Sequence, residues 1–166
     1  MPLPDFVMYD EEYQRIKTVA TRLREDANAK IVFLVDKNGQ QIAACGDLGS
    51  IDTTSLASLT AGNVAATDGL AKLIGEKEFS ILFHEGERDN LHISIVGKRG
   101  ILVVIFDSRS TLGLVRLRVK RTSAELERIF DVIEEKAKHQ FEGEKEYESP
   151  FAEITENDID KLFGDN

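Results

Sequence analysis

The segment from Asp52 to Gly75 carries a small residue at every fourth position, at Ala57, Ala61, Ala65 and Gly69. Side chains four residues apart lie above one another on an α-helix, so this pattern predicts a helix with a nearly bare strip along one side. The opposite side carries larger apolar residues that predict an ordinary core face: Leu56, Leu59, Leu70, Leu73 and Ile74. We interpret the bare strip as a docking surface, which another protein backbone approaches closely.

Glycine supports this interpretation, because each glycine inside a helix costs about 1 kcal/mol relative to alanine. Gly62 and Gly69 both lie inside the predicted helix. Two alternatives stay open. Small residues can let a helix pack closely on its own sheet, which would explain Gly62 but not Gly69, and exposed alanine can simply contact nothing. The candidate contact residues on this helix are Ser58, Ala61, Gly62, Ala65, Asp68, Gly69 and Lys72.

Length and composition predict one globular domain with a short tail. The chain has 166 residues, of which 42% are hydrophobic and 31% charged, as in ordinary soluble proteins. The longest apolar runs, 31–35 and 101–106, are too short to cross a bilayer, and the N-terminus lacks the features of a secretory signal. A single cysteine, Cys45, excludes an internal disulfide. We therefore expect a cytoplasmic protein that binds no membrane.

The charge is concentrated at the C-terminal end of the chain. The formal net charge is −9, and residues 141–166 hold nine acidic side chains against two lysines. The first 140 residues are therefore close to neutral. Since no basic surface dominates, nucleic acid is not an expected partner.

The sequence contains no credible active site. It lacks the phosphate-binding loop of nucleotide-binding proteins, the dinucleotide fingerprint and the nucleophile elbow. His84 and His92 do not have metal-ligand spacing, so we expect no metal, no cofactor and no enzymatic activity. Arg88, Arg99 and Arg109 fall in predicted loops. Each could act as an arginine finger on a neighbouring protein's phosphates, although a solvated loop charge is the commoner role.

Hydrophobic periodicity predicts an α+β domain. We expect a helix over 10–28, then strands over 30–36 and 40–45 joined by an Asn38-Gly39 turn, and strands over 91–96 and 101–106 after the small-residue helix. A fifth strand is predicted over 115–120, where apolar and basic residues alternate, and a last helix from Thr122. Segment 76–89 is hard to interpret. This order favours an antiparallel sheet with helices on both faces.

The chain beyond the domain predicts a linker and a short binding motif. We place the domain at 1–141, a flexible acidic linker at 142–149 and a partner-binding tail at 150–166. A capping box at 155–158 precedes one apolar helical face, but so short a helix does not hold alone in water. The tail is therefore either disordered or a motif that folds on a partner. Its candidate contact residues are Phe151, Ile154, Ile159, Leu162 and Phe163.

Five motifs, together with the order of elements, resemble the Roadblock/dynein light chain family. They lie at 35–39 (Val-Asp-Lys-Asn-Gly), 52–66, 69–75, 83–86 (Phe-His-Glu-Gly) and 103–107 (Val-Val-Ile-Phe-Asp). The resemblance extends to 149–154 and 158–163. It implies a three-layer, profilin-like domain. In that fold, a five-stranded antiparallel sheet has one helix on one face and two on the other.

The resemblance also implies partners. The protein would form a homodimer through edge strands, here strand 91–96 with Leu91, Ile93 and Ile95, and the small-residue helix would form both the dimer interface and the floor for a partner. That partner would be a GTP-bound, Ras-like small GTPase of the MglA type, whose hydrolysis the dimer speeds without donating an arginine. The implied setting is cell polarity and surface motility, with enrichment at a cell pole and contacts to other polarity proteins.

Two other functions remain alternatives. The first is a dimeric scaffold or adaptor of the same fold that binds a GTPase or a polarity protein without changing its rate. The second is a small-molecule sensor of profilin-like architecture, which would need an enclosed pocket between sheet and helix.

Overall fold

A computed structural model describes residue 8, residues 10–146 and residues 161–162 of the chain. Four of the predicted tail contacts, Phe151, Ile154, Ile159 and Phe163, lie outside this part. The described residues form three helices and five strands. In chain order they are α1 (Asp10–Asp26), β1 (Ile31–Asp36), β2 (Gln41–Gly46), α2 (Thr53–Leu73), β3 (Ile81–Glu85), β4 (Asn90–Val96), β5 (Gly100–Phe106) and α3 (Leu112–Glu146).

The five strands form one antiparallel sheet in the order β2-β1-β5-β4-β3. The two most apolar strands, β1 and β5, lie at its centre and are buried along their whole length. Alternate residues point to opposite faces, and Phe33 of β1 lies opposite Val103 of β5 on the face that packs against α2. Helix α1 and the part of α3 up to residue 131 cover the other face. The predicted α+β fold is confirmed.

The fifth strand, however, is not where the sequence placed it. Residues 115–120 belong to α3, and the fifth strand is β3, within the segment that was hard to interpret. The alternation of residues 115–120 fits a strand. Val115 and Val119 are also four residues apart, and continue as a helical stripe through Thr122 and Leu126, all of them buried. Thr122 is thus inside α3, whose first turn is capped by the Thr111 hydroxyl, which accepts from the Leu114 amide at 3.2 Å.

The predicted edge strand is also wrong. Strand β4 pairs with β5 on one side and with β3 on the other, so its backbone is not free to pair with a second copy. The strands with only one neighbour are β2 and β3. Helix α1 packs on β2, which leaves β3 as the more open edge of the sheet.

The chain divides into two compact units, Met1–Asp131 and Val132–Asn166. Helix α3 contains residues of both units. The second unit contains the rest of α3, where His139 Nδ1 lies 3.8 Å from Glu142 Oε2. Helix α3 continues to Glu146 and so includes the first residues of the predicted linker. Glutamate and lysine, which dominate that stretch, are good helix formers. The proposed boundary at 141 stays a prediction.

A buried ion pair ties together the two hairpin turns at one end of the sheet. The carboxylate of Asp36 accepts from the Asn38 amide at 2.8 Å and from Arg99 Nη2 at 3.5 Å. The Lys37 amide donates to the Arg99 carbonyl at 2.9 Å. The predicted turn is confirmed, with Gly39 at a φ of 88°, a conformation that suits glycine. Asp36 therefore stabilises both its own turn, between β1 and β2, and the neighbouring turn between β4 and β5.

One polar side chain is sealed inside the sheet. His92 in β4 is fully buried, on the face opposite α2, and neither ring nitrogen has a hydrogen-bond partner among the described residues. Burial, with a smaller contribution from the positive charge of Arg116, lowers its pKa from the ordinary value of 6.5. Burial therefore favours the neutral form of His92 in the folded protein.

This burial predicts that acid destabilises the fold. Below pH 6.5 the unfolded chain protonates this histidine while the folded chain resists it, so the free energy of unfolding falls as the pH is lowered, by up to about 1.4 kcal/mol per pH unit. Urea denaturation between pH 5 and 7.5 measures the slope. His92→Phe should flatten it, because phenylalanine cannot take up the proton. An unchanged slope in His92→Phe would contradict the assignment.

Candidate partner-binding surface

Helix α2 has well-defined ends. Asp52 caps its N-terminus, because the carboxylate accepts from the Thr54 and Ser55 amides at 3.1 and 3.2 Å. Hydrogen bonds from the Ser55 hydroxyl and amide lower the pKa of Asp52. The helix ends at Leu73, followed by Gly75 with a φ of 83°. Both predicted ends are confirmed, so α2 is a preformed element.

The side of α2 that packs on the sheet is made of small residues. Its buried residues are Ala57, Thr60, Val64 and Ala71. Ala57 and Val64 join the core cluster around Phe33 and Val103. The β1–β2 turn approaches the same helix, since a Cβ on Gly39 would lie 3.6 Å from the Ser58 Cα and 3.7 Å from the Ala61 Cβ. Close packing within the chain therefore accounts for Ala57 and the half-buried Ala61. It does not account for Gly62, the residue that this alternative was expected to explain, because Gly62 is exposed.

The leucines predicted as the core face point away from the protein instead. Leu59 is 73% exposed, Leu70 60% and Leu73 83%. Ile74 is also exposed, and only Leu56 of the predicted set is partly buried, against the core cluster. The core-face prediction is wrong. Apolarity marks a surface to be covered but does not say by what, and here the small residues cover the sheet.

The rest of the bare strip is exposed as predicted. Ala65 and Gly69 are exposed, whereas Ala61 and Asp68 are half-buried. A Cβ placed on Gly62 or Gly69 would meet nothing within 4 Å. The fold does not require glycine at either position, so its cost in the helix has no internal explanation. The other two candidates, Ser58 and Lys72, are exposed as well.

Two strips thus run side by side on the outward surface of α2. At about 100° per residue, the small strip (Ser58, Gly62, Ala65 and Gly69) adjoins the leucine strip (Leu59, Ala66, Leu70 and Leu73). The small strip lies toward the β1–β2 turn, because a Cβ on Gly39 of that turn would come within 4 Å of Ser58 and Ala61. The leucine strip lies toward β3, because Nδ2 of the neighbouring Asn63 lies 3.1 Å from Nε2 of His84 in that strand.

This outward surface also lacks charge. Residues 53–67 contain no charged side chain, although one side of this part of α2 faces away from the sheet and is exposed. A surface helix normally carries charged residues on the face that points to solvent. Positions 55, 59, 62, 66, 69 and 73 are all exposed and alternate in steps of four and three, which is the spacing of a helix–helix contact. This is the signal that sequence reasoning missed.

Strands β3 and β4 continue the surface beside α2. Leu82 of β3 and Leu91 and Ile95 of β4 are partly buried against the core cluster under α2, whereas Ile93 is 1% exposed. Leu91 and Ile95 thus remain candidates for contact with a second copy through their side chains. The backbone edge beside them belongs to β3, where Ile81 is 48% exposed.

The loop arginines differ in their freedom. Arg99 is largely buried and paired with Asp36. Arg109 makes a bidentate contact with Asp107, with Nε and Nη2 each 3.0 Å from a carboxylate oxygen. These hydrogen bonds lower the pKa of Asp107 and raise that of Arg109. Arg88, in the β3–β4 turn, is exposed and forms no ion pair within the described part of the chain.

No other described group forms an evident reaction centre. In residues 10–146, no three or more His, Cys, Asp or Glu side chains lie together as metal ligands would. Burial raises the pKa of the half-buried Cys45 thiol, which makes it a poor nucleophile. None of the helices that the structure describes combines the length and apolar character of a bilayer span. Leu162, the described tail contact, is exposed.

Comparison with known proteins identifies the class to which this fold and surface belong. A model of the Roadblock/LC7 domain matches residues 15–106. The chain therefore belongs to the Roadblock/LC7 family, as the sequence motifs predicted.

Particular members are more similar still. The structure of MglB from Myxococcus xanthus shares 64% identity, covers 76% of this chain and 96% of its own, and has a TM-score of 0.73. The gliding protein MglB from Thermus thermophilus shares 37% identity with the same coverages and a TM-score of 0.70. Protein MJ1340 of Methanocaldococcus jannaschii, which is uncharacterised, is 29% identical over 69% of this chain and 99% of its own length.

The observed orientation of α2 predicts opposite outcomes on its two sides. Ala57→Leu should destabilise the fold by about 1–3 kcal/mol, because it overfills the contact with the sheet. Leu73→Ala should change stability by less than about 0.5 kcal/mol, because that side chain leaves no internal cavity. Urea unfolding at several chain concentrations separates folding from assembly. The reverse ranking of the two variants would contradict this orientation.

Proposed function

We propose that this protein is a homodimeric GTPase-activating protein for a Ras-like small GTPase of the MglA type, with a role in cell polarity and surface motility. The observation that carries the proposal is the uncharged outward surface of α2, whose two strips the isolated chain leaves uncovered. The 64% identity to Myxococcus xanthus MglB supports it.

The leucine strip suits a second copy of the chain. It lies on the side of α2 nearest β3, the more open edge of the sheet. Two chains that pair along β3 would bring their α2 helices side by side, so that each leucine strip covers the other. The alternating steps of four and three along α2 fit such a helix pair. Pairing through β3 replaces the pairing through β4 that the sequence suggested.

The small strip suits the GTPase. Ala65 and Gly69 are exposed on the side of α2 away from β3, so a dimer formed through β3 would leave them accessible. With no side chain beyond Cβ, this strip would let a switch segment of the GTPase come close to the helix backbone. Half-buried Asp68 and exposed Lys72 would supply polar contacts at one end.

The activation would come from positioning rather than from a donated group. Phosphoryl transfer depends on the placement of water and of charge around the phosphate. A surface that binds one arrangement of the switch segments shifts the GTPase toward that arrangement. Arg99 and Arg109 are held by Asp36 and Asp107, so neither is poised to act as a finger. The tail residues, Leu162 among them, would add a second contact to the GTPase.

The proposal predicts the effect of filling the small strip. With a MglA-type GTPase loaded with GTP, the protein should speed phosphate release, and Ala65→Arg or Gly69→Arg should abolish the stimulation, because a long charged side chain would separate the surfaces. Ala124→Arg and Gly113→Arg are matched controls on α3. Both positions are exposed, and a Cβ on Gly113 also meets nothing within 4 Å.

Other results of the same assay have defined meanings. Full stimulation by Ala65→Arg and Gly69→Arg would remove the proposed surface. Loss of stimulation in Arg88→Ala would instead indicate an arginine finger. Capture of the GTPase with no change in hydrolysis would make the protein a scaffold or adaptor.

The dimer is tested separately. Leu73→Glu should convert the dimer to monomers in sedimentation equilibrium, because it places charge within the leucine strip. Leu117→Glu is the matched control, since Leu117 is an exposed leucine of α3. A wild-type chain that sediments as a monomer at tens of micromolar, or a Leu73→Glu variant that stays dimeric, would contradict the assembly.

A further inference from the structure

A charged cleft lies on the opposite side of the sheet from α2, between α1 and the first half of α3. It has a volume of about 270 Å³. Polar and charged side chains line it: Arg22, Asp26, Arg118, Arg121, Thr122 and Glu125. The proposed activation of a GTPase does not use this cleft.

The charges in the cleft are only partly paired. Arg22 of α1 donates to the Glu125 carboxylate of α3 and joins the two walls. Within residues 10–146, neither the Arg118 nor the Arg121 guanidinium forms an ion pair or hydrogen bond, and the Asp26 carboxylate forms none either. Two guanidinium groups therefore share the cleft with one unpaired carboxylate, which leaves an excess of positive charge.

One donor in the cleft is buried without an acceptor. The Nε of Arg118 is shielded from solvent and has no hydrogen-bond partner among the described residues. Buried donors are normally satisfied, so each exception needs an explanation. Thr122, which is 7% exposed, adds a hydroxyl to the same wall. The cleft thus offers donors and an excess of positive charge to an external acceptor, since no described residue accepts from the Arg118 Nε.

We propose that this cleft binds a tetrahedral oxyanion of the phosphate class between Arg118 and Arg121. Guanidinium groups present paired N–H donors that match phosphate oxygens. The volume of the cleft admits one phosphate group with bridging water. Arg22 is already paired with Glu125 and is therefore not assigned to the anion. Asp26 opposes the anion, so its charge limits the affinity. The phosphate could be free or carried on a small organic monoester.

The test uses the full chain in thermal unfolding, with sodium phosphate compared with sodium chloride at equal ionic strength and constant pH. Phosphate at tens of millimolar should raise the melting temperature by about 2 °C over chloride, as a ligand that binds only the folded state does. Arg118→Leu should abolish this excess. Asp26→Asn should enlarge it, because removal of the opposing charge strengthens binding.

Matched variants separate binding from general charge effects. Arg128→Leu, at an exposed arginine of α3 outside the cleft, should keep the full excess. If Arg118→Leu does not fold, Arg118→Lys should fold with a reduced excess, because lysine keeps the charge but loses the paired donors.

Phosphoserine, with serine as its control, distinguishes the two sources. A larger shift with phosphoserine than with phosphate indicates a monoester, and an equal or smaller one indicates free phosphate. No excess with either ligand would overturn the proposal. So would equal losses in Arg118→Leu and Arg128→Leu, or an unchanged excess in Asp26→Asn.

Discussion

The contact between the small-residue side of α2 and the sheet determines which residues of this helix are exposed to other proteins. Ala57 and Ala71 have little more than a methyl group to offer the sheet, so α2 lies close to β1 and β2. Because those positions face inward, the leucines on the remaining positions of the helix must face outward. The orientation of one helix therefore creates an exposed apolar surface without disturbing the core beneath it.

The two faces of the sheet are consequently unequal. On the side of α1 and α3, large side chains such as Leu102, Leu126 and Phe130 are buried, and Phe130 packs directly over Gly100. On the side of α2, the helix contributes only small and medium residues to the core, and the sheet beyond it retains half-buried Leu91 and Ile95. The first side buries its large apolar residues within one chain, whereas the second leaves apolar residues exposed, as surfaces that bind other proteins do.

The parts of the fold that local chemistry specifies were predictable from sequence. The Asp36 to Gly39 turn, the Asp52 cap and the end of α2 at Gly75 each depend on a few neighbouring residues. The predictions that failed concern segments whose structure depends on residues far away in the sequence. Residues 115–120 fit both a strand and a helix, and only the stripe running on to Leu126 decides between them. β3 was missed because it is a short, largely exposed edge strand, and the leucines of α2 were misassigned because nothing local identifies what covers them.

Exposed leucines and helical glycines occur on the same surface of α2, and neither stabilises the isolated chain. A solvent-facing Leu73 gains nothing for the isolated chain, and Gly62 lowers the stability of a helix that has room for a larger residue. Both become useful only when another backbone lies against α2, since leucine then buries apolar area and glycine permits close approach. The absence of charge over residues 53–67 completes the argument, because a charged group there would have to be desolvated on binding. The side of the fold that leaves apolar residues exposed is thus the side best suited to bind another protein.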